Sequence, residues 1–232
     1  MKRNDLLFVC LIALIFLPFA LSADLLGFYN NFNASHGLIM SFFKFALLAT
    51  LGEVLGLRIK SGGFQLKGFG LLPRAFVWGL LGITIKLAFV IFTNGTLAFI
   101  SYVGFHEAGS IFAGSVTISK VLIAFSISVA MNTIFAPLMM TLHKITDTHI
   151  MQTGGSFKGF LLNRMHVATI LKQLNWDVQW NFVFLKTIPF FWFPAHTITF
   201  LLPADLQVLF AALLGIALGA ILAFASGKSR AA

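Results

Sequence analysis

The chain has one cysteine, Cys10, in 232 residues. A single thiol forms no intramolecular disulfide and no cysteine-based metal cluster. Charge is scarce as well: only 10% of residues are Asp, Glu, Lys or Arg, against about 25% in a soluble domain. That leaves too little polar surface to cover a water-soluble globule. Acidic residues are the scarcest, seven against sixteen basic ones. No span carries paired carboxylates, there is no Walker loop, and no serine or cysteine nucleophile has an evident base. The sequence therefore does not support an enzyme, and it implies no cofactor and no metal.

Abundant instead are apolar residues, 59% of the chain with 28 Phe, and the mean hydropathy is +0.94. Strands of a membrane barrel alternate apolar and polar residues; these runs are continuously apolar. A hydrocarbon layer takes roughly 20 helical residues to cross, so the expected fold is all-α, a polytopic transmembrane bundle of about six spans. The net charge of +9 suggests nucleic acid until the charges are placed. They flank the spans on one side, as the positive-inside rule expects, and a nucleic-acid partner is not expected.

Residues 1–23 read as a signal-anchor helix or a cleavable signal peptide, with Lys2 and Arg3 ahead of Leu6–Ala20. The long apolar run favours a helix that stays. Residues 24–232 read as one transmembrane helical domain. Ser22–His36, without Lys or Arg, reads as an outer polar loop. Gly37–Leu57 and Leu71–Phe92 are the next spans, joined by an inner segment with Arg58, Lys60 and Lys67. Asn94–Thr117 is outer, and Ser119–Leu142 is the fourth span. The connection His143–Gln179 carries Lys144, Lys158, Arg164 and Lys172. Within it Leu161, Leu162, Met165, Ala168, Leu171 and Leu174 recur at helical spacing, which predicts an amphipathic helix on the inner surface. Trp180–Leu202 and Leu206–Ser226 complete the spans, and the tail carries Lys228 and Arg230. Both termini are then cytoplasmic, in a bacterial inner membrane, or in an organelle membrane of a eukaryote.

Charges within the spans are the candidate site. Glu53 and Arg74 lie at matching depth, roughly 5 Å inside the apolar layer, and are expected to pair as a structural or gating ion pair. Lys44 and Lys86 lie roughly 10 Å in from the outer side, and Lys186 at similar depth from the inner side. With Asn132 they are the expected lining of a pore or of a lipid-headgroup site. Snorkelling of the lysines is the plainer alternative. Pro137, Pro189 and Pro194 break the fourth and fifth spans, either as simple kinks or as irregular backbone facing water. Gly52–Gly56 and Gly215–Gly219 have the small-residue spacing of close helix contacts. His143, Asp147 and His149 cluster at the inner end of the fourth span without a closed zinc ligand set.

Several of these segments resemble the peroxisomal membrane protein family that includes the mitochondrial inner-membrane Mpv proteins. Gly52-Glu53 resembles its Gly-Asp helix end, and Arg74 its Arg opening the next helix. Gly82 to Phe89 matches the spacing of its Gly-Pro-x-x-His-x-Trp-Tyr, with Lys86 in place of His. Met131 to Pro137 resembles its Asp-Gln-x-x-Phe-Ala-Pro, and Phe193-Pro194 through Leu202-Pro203 resembles its later Trp-Pro, Asn-Phe and Val-Pro run. Met131, Gln207 and Leu218 depart from that pattern, so a polar network built on the family residues at those positions does not carry over. The resemblance implies a four-helix membrane core, with channel-like activity in some members. Two functions follow as expectations. One is a small solute or ion pore, or permeability regulator, with a basic internal surface that takes small anions. The other is a non-conducting scaffold or anionic-lipid-binding protein. Membrane lipid is the expected partner in both, and an oligomer stays open.

Overall fold

The computed structural model describes residues 3–228; Lys2, Arg230 and the Lys228 side chain fall outside what it describes. The described residues form helices and the turns between them, with no strand. The helices are α1 (Arg3–Leu21), α2 (Ala23–Ser35), α3 (Gly37–Ser61), α4 (Leu71–Tyr102), α5 (Ala108–Ala113), α6 (Ile118–Gln152), α7 (Phe157–Leu162), α8 (Val167–Gln173) and α9 (Trp176–Val178). A π-helix (Gln179–Trp192) follows directly, then α10 (Phe193–Leu201) and α11 (Ala204–Lys228). Four of them, α1, α3, α4 and α6, are long and apolar enough to cross a membrane. At 1.5 Å per residue α4 and α6 reach about 48 and 52 Å, well beyond a hydrocarbon layer of about 30 Å.

The bundle core is α3, α4, α6, α10 and α11. Backbones approach closely at Gly82 and at Gly52, of which Gly52 was an expected small-residue contact, while Gly215, also expected, meets nothing within 4 Å. A Cβ on Gly82 would fall 2.5 Å from the Ser41 carbonyl oxygen, and one on Gly52 would fall 3.0 Å from Ile216 Cα. The first close approach sets α4 against α3, the second α11 against α3. Towards the 94–117 end the core is filled by Phe45, Phe89, Ile127, Phe200 and Ala212, all buried.

At the opposite end, two loops are locked together by left-handed glycines. Gly70 and Gly155 have φ of 76° and 71°, and a Cβ on Gly155 would meet the Gly68 carbonyl at 2.6 Å. This contact fixes the 68–70 turn against the end of α6 and so aims the start of α4.

Three expectations are corrected. Ser22–His36 is a helix, α2, opened by the Ser22 hydroxyl, which accepts from the Leu25 N–H. The fourth span continues ten residues past Leu142, to Gln152; Pro137 does not end it, and the Thr141 hydroxyl donates to the Pro137 carbonyl at 2.7 Å. The amphipathic stripe of 161–174 is divided between α7 and α8, because 163–166 is not helical; the Ile170 side chain, outside that stripe, is the buried one. Pro189 lies inside the π-helix, and Pro194 lies just past the point where that helix passes directly into α10. Trp192 and Phe193 are both right-handed helical, so the helix carries on through both prolines as its winding changes.

Helix α1 has no buried residue. It is tied to the end of α3 by Asp5, whose carboxylate accepts from Arg58 Nε at 2.6 Å and Nη2 at 2.9 Å, and by Phe8 against the Phe64 ring. Lys120, at the opposite end of the bundle, donates to the Gly114 carbonyl at 2.6 Å.

Candidate functional site

A cavity of about 400 Å³ lies inside the bundle. Its walls come from α3, α4, α6, the π-helix, α10 and α11, and most of them are apolar. Polar groups concentrate at two levels. Asn132 and His143 mark them on α6; eleven residues apart, they are separated by about 16 Å of helix. Between them are Phe135, Ala136, Met139 and Met140.

The first level is built on Glu53. Its carboxylate accepts from Arg74 Nη1 at 2.6 Å, Trp78 Nε1 at 3.0 Å and His143 Nε2 at 3.1 Å. A carboxylate only accepts, so the His143 nitrogen facing it carries a proton. Arg74 also donates from Nε to the Phe69 carbonyl at 2.7 Å, pairs through Nη2 with Asp147, and lies over the Phe69 ring. Its guanidinium is thus held by three acceptors from three segments. The glycine-locked 68–70 turn presents the Phe69 carbonyl. Four-residue spacing puts His143 and Asp147 on one face of α6, one above the other. Lys144 stands 3.7 Å from Asp147 on the exposed side. His149 turns elsewhere, to the Phe160 carbonyl at 3.2 Å. Among the described residues no three His, Cys, Asp or Glu are placed to hold a metal ion.

The second level is built on Asn132, which is 1% exposed. Its amide nitrogen donates to the Ser128 carbonyl at 2.8 Å, and its carbonyl oxygen faces His196 Nδ1 at 3.0 Å. Because the Asn132 oxygen is turned to His196, Nδ1 is the donor and Nε2 is left as an acceptor. The Ser128 hydroxyl donates to the Phe193 carbonyl at 2.8 Å. The His196 ring stacks on Trp192 and meets Phe89 edge-on. These bonds join α6 to α10 at a depth where unpaired polar groups are costly.

Of the residues expected to line an internal surface, Asn132 does so and the lysines do not. Lys44 and Lys86 point to the far end of α3 and α4. The Lys44 ammonium donates to Asn33 Oδ1 at 2.6 Å and lies over the Tyr29 ring. Both partners are on α2, the segment expected to be a loop. Burial, and then the Asp205 carboxylate, raise the Tyr29 phenol above its ordinary value.

Lys186 is exposed on the outside of the π-helix. The physical reason is the winding. In an α-helix seven residues are nearly two turns, which would place Lys186 on the face of Gln179 and Val183. In the wider π winding seven residues fall short of two turns. The inward residues are instead Gln179, Val183, Ile188 and Trp192, at spacings of four and five.

Trp78, Ser128 and His196 were not singled out from the sequence. Ser128 and Asn132 are a polar pair at four-residue spacing inside an apolar span, which was a readable signal. The joining of Glu53 to His143, ninety residues apart, had none. Compared with known proteins, the chain matches no family model, and neither a curated protein nor a solved structure is found to be similar to it.

Proposed function

We propose that this is an integral membrane protein that passes a small, weakly polar solute through its bundle, in a conformation closed at one end. The observation that carries the reading is the internal cavity with polar groups at two levels. Its volume is within the range of small-molecule sites, about 300–1,000 Å³. Polar and ionisable groups inside a membrane bundle are expensive and tend to mark solute pathways. Past Asn132 and His196 the way is filled by Phe89, which meets both the His196 and Phe200 rings, and by Phe200 and Ile127, an apolar plug of the kind that gates by excluding water. The likeness to the Mpv family, which rests on short motifs, points the same way.

A basic internal surface selecting anions is no part of this reading, since Lys44, Lys86 and Lys186 are all outside the cavity wall. The orientation proposed is the one with both termini cytoplasmic, in a bacterial inner membrane. Arg58, Lys60, Lys67, Lys158, Arg164 and Lys172 gather at one end of the bundle, against Lys120 at the tip of the other.

The test is conductance and small-solute flux of the purified protein in planar bilayers and vesicles, beside Phe89→Ala. Discrete openings or flux, increased at least tenfold by Phe89→Ala, are expected. A protein shown to be folded and inserted, yet silent in both forms, would exclude a pore and favour a non-conducting scaffold.

A further inference from the structure

The two lysines outside the cavity make a site of their own. Lys44 is 6% exposed, and its hydrogen bond goes to a neutral amide oxygen, Asn33 Oδ1. Lys86, on the neighbouring helix, is half-buried and makes no hydrogen bond or ion pair among the described residues. Its Cε sits 3.9 Å from where a Cβ of Gly37 would be, so its chain lies along the first turn of α3. Both lysines thus reach the same end of α3, Lys86 along Gly37 and Lys44 to Asn33, four residues before Gly37. The Asp205 carboxylate, on α11, is exposed, and no ion pair joins it to Lys44. Asn33 is bound to the backbone carbonyl of Asp205 at 3.4 Å, which holds α2 across the gap between α3 and α11.

The contrast with the other end of the bundle is informative. There the Arg74 cation meets two carboxylates, Glu53 and Asp147. Here two cations share one exposed carboxylate at a distance. Like charges in low dielectric are costly, by several-fold more than in water, and buried charges are normally paired. An anion that accepts from both lysines would offset that cost.

We propose that Lys44 and Lys86 form an oxyanion site beneath α2, which takes a phosphate group. The phosphate of an anionic lipid headgroup or free phosphate would supply the same chemistry: acceptor oxygens that bridge two ammonium groups. The outer end of α3, which has no side-chain cap, adds the positive end of its dipole. This site is separate from the cavity and does not depend on the pore reading.

The experiment is thermal unfolding of the full-length protein in neutral detergent. Phosphatidylglycerol, phosphatidylcholine or inorganic phosphate is added at constant ionic strength. A ligand that binds only the folded state raises the unfolding temperature. Wild type is expected to unfold several degrees higher with phosphatidylglycerol than with phosphatidylcholine. Lys86→Gln should lose that difference, while Lys158→Gln, a change at an exposed lysine of the other end, should keep it. A rise with inorganic phosphate as well, lost in Lys86→Gln, identifies free phosphate as a sufficient ligand. Lys86 has no bond to lose, so Lys86→Gln should fold even where Lys44→Gln does not. Equal unfolding with both lipids and no rise with phosphate overturns the proposal. So does a phosphatidylglycerol effect that survives in Lys86→Gln.

Discussion

Arg74 is the residue on which most of the charged network converges. Removing its head leaves Glu53 with only Trp78 and His143, and leaves Asp147 facing Lys144 alone. Breaking a buried pair from one side costs about 3–5 kcal/mol, because the remaining charge stays buried without compensation. Arg74→Met is therefore expected to lose about 3 kcal/mol of stability, read as earlier unfolding in detergent. Arg74→Lys should fall between, since one ammonium cannot reproduce the planar fork that reaches Phe69, Glu53 and Asp147 together. Unfolding of Arg74→Met at the wild-type temperature would rule out a structural role. The pairing of Glu53 with Arg74 could be read from the sequence because both depths follow from counting residues along adjacent spans. Trp78 follows Arg74 by one helical turn and was in principle readable. His143 and Asp147 were noticed, but their partner was not, because nothing local says which helix α6 will lie against.

At the scale of elements, the glycines differ in how closely the helices approach at each. A Cβ on Gly82 would strike backbone and the Phe45 side chain at 2.5–2.9 Å, whereas one on Gly56 would meet only the Gly219 carbonyl, at 3.9 Å. Overpacking costs about 1–3 kcal/mol, and replacing a helical glycine by alanine returns about 1 kcal/mol of propensity. Gly82→Ala should thus destabilise, while Gly56→Ala should be neutral or slightly stabilising; thermal unfolding of the two variants side by side checks the order. The reverse order would mean that α3 and α4 are further apart than described. The same scale shows where periodicity misleads. Apolar runs gave the long helices, but counting depth along the fifth span says nothing of which way Lys186 faces, and the wider winding puts it outside. The polar run around Asn30–Asn33 looked like a loop because its side chains are polar. It is a helix whose Asn33 is needed by Lys44, a partner eleven residues on.

At the scale of the whole molecule, the all-helical class and its long apolar helices were legible, since both follow from the cost of burying backbone in hydrocarbon; the helix ends were not, for α4 and α6 each run ten residues past the spans read for them. The cavity was not, because it exists only where six segments fail to fill the space between them. The proposed closure at one end makes a prediction that does not require conduction. Met139 lies on the cavity wall between the two polar levels, whereas Ile127 is fully buried in the apolar core beyond it. In a Cys10→Ser background, which removes the exposed native thiol, Met139→Cys should react with a water-soluble thiol reagent and Ile127→Cys should not. The reagent should reach Met139→Cys from the side that carries Arg58, Lys60 and Lys67, and be blocked from the other by Phe89 and Phe200. Adding Phe89→Ala should open the second side. Labelling of Met139→Cys from both sides without that change would mean that the apolar plug does not close the path. An inert Met139→Cys, with Cys10 reactive in the parent protein, would mean that the cavity is sealed from water at both ends and serves as a binding pocket.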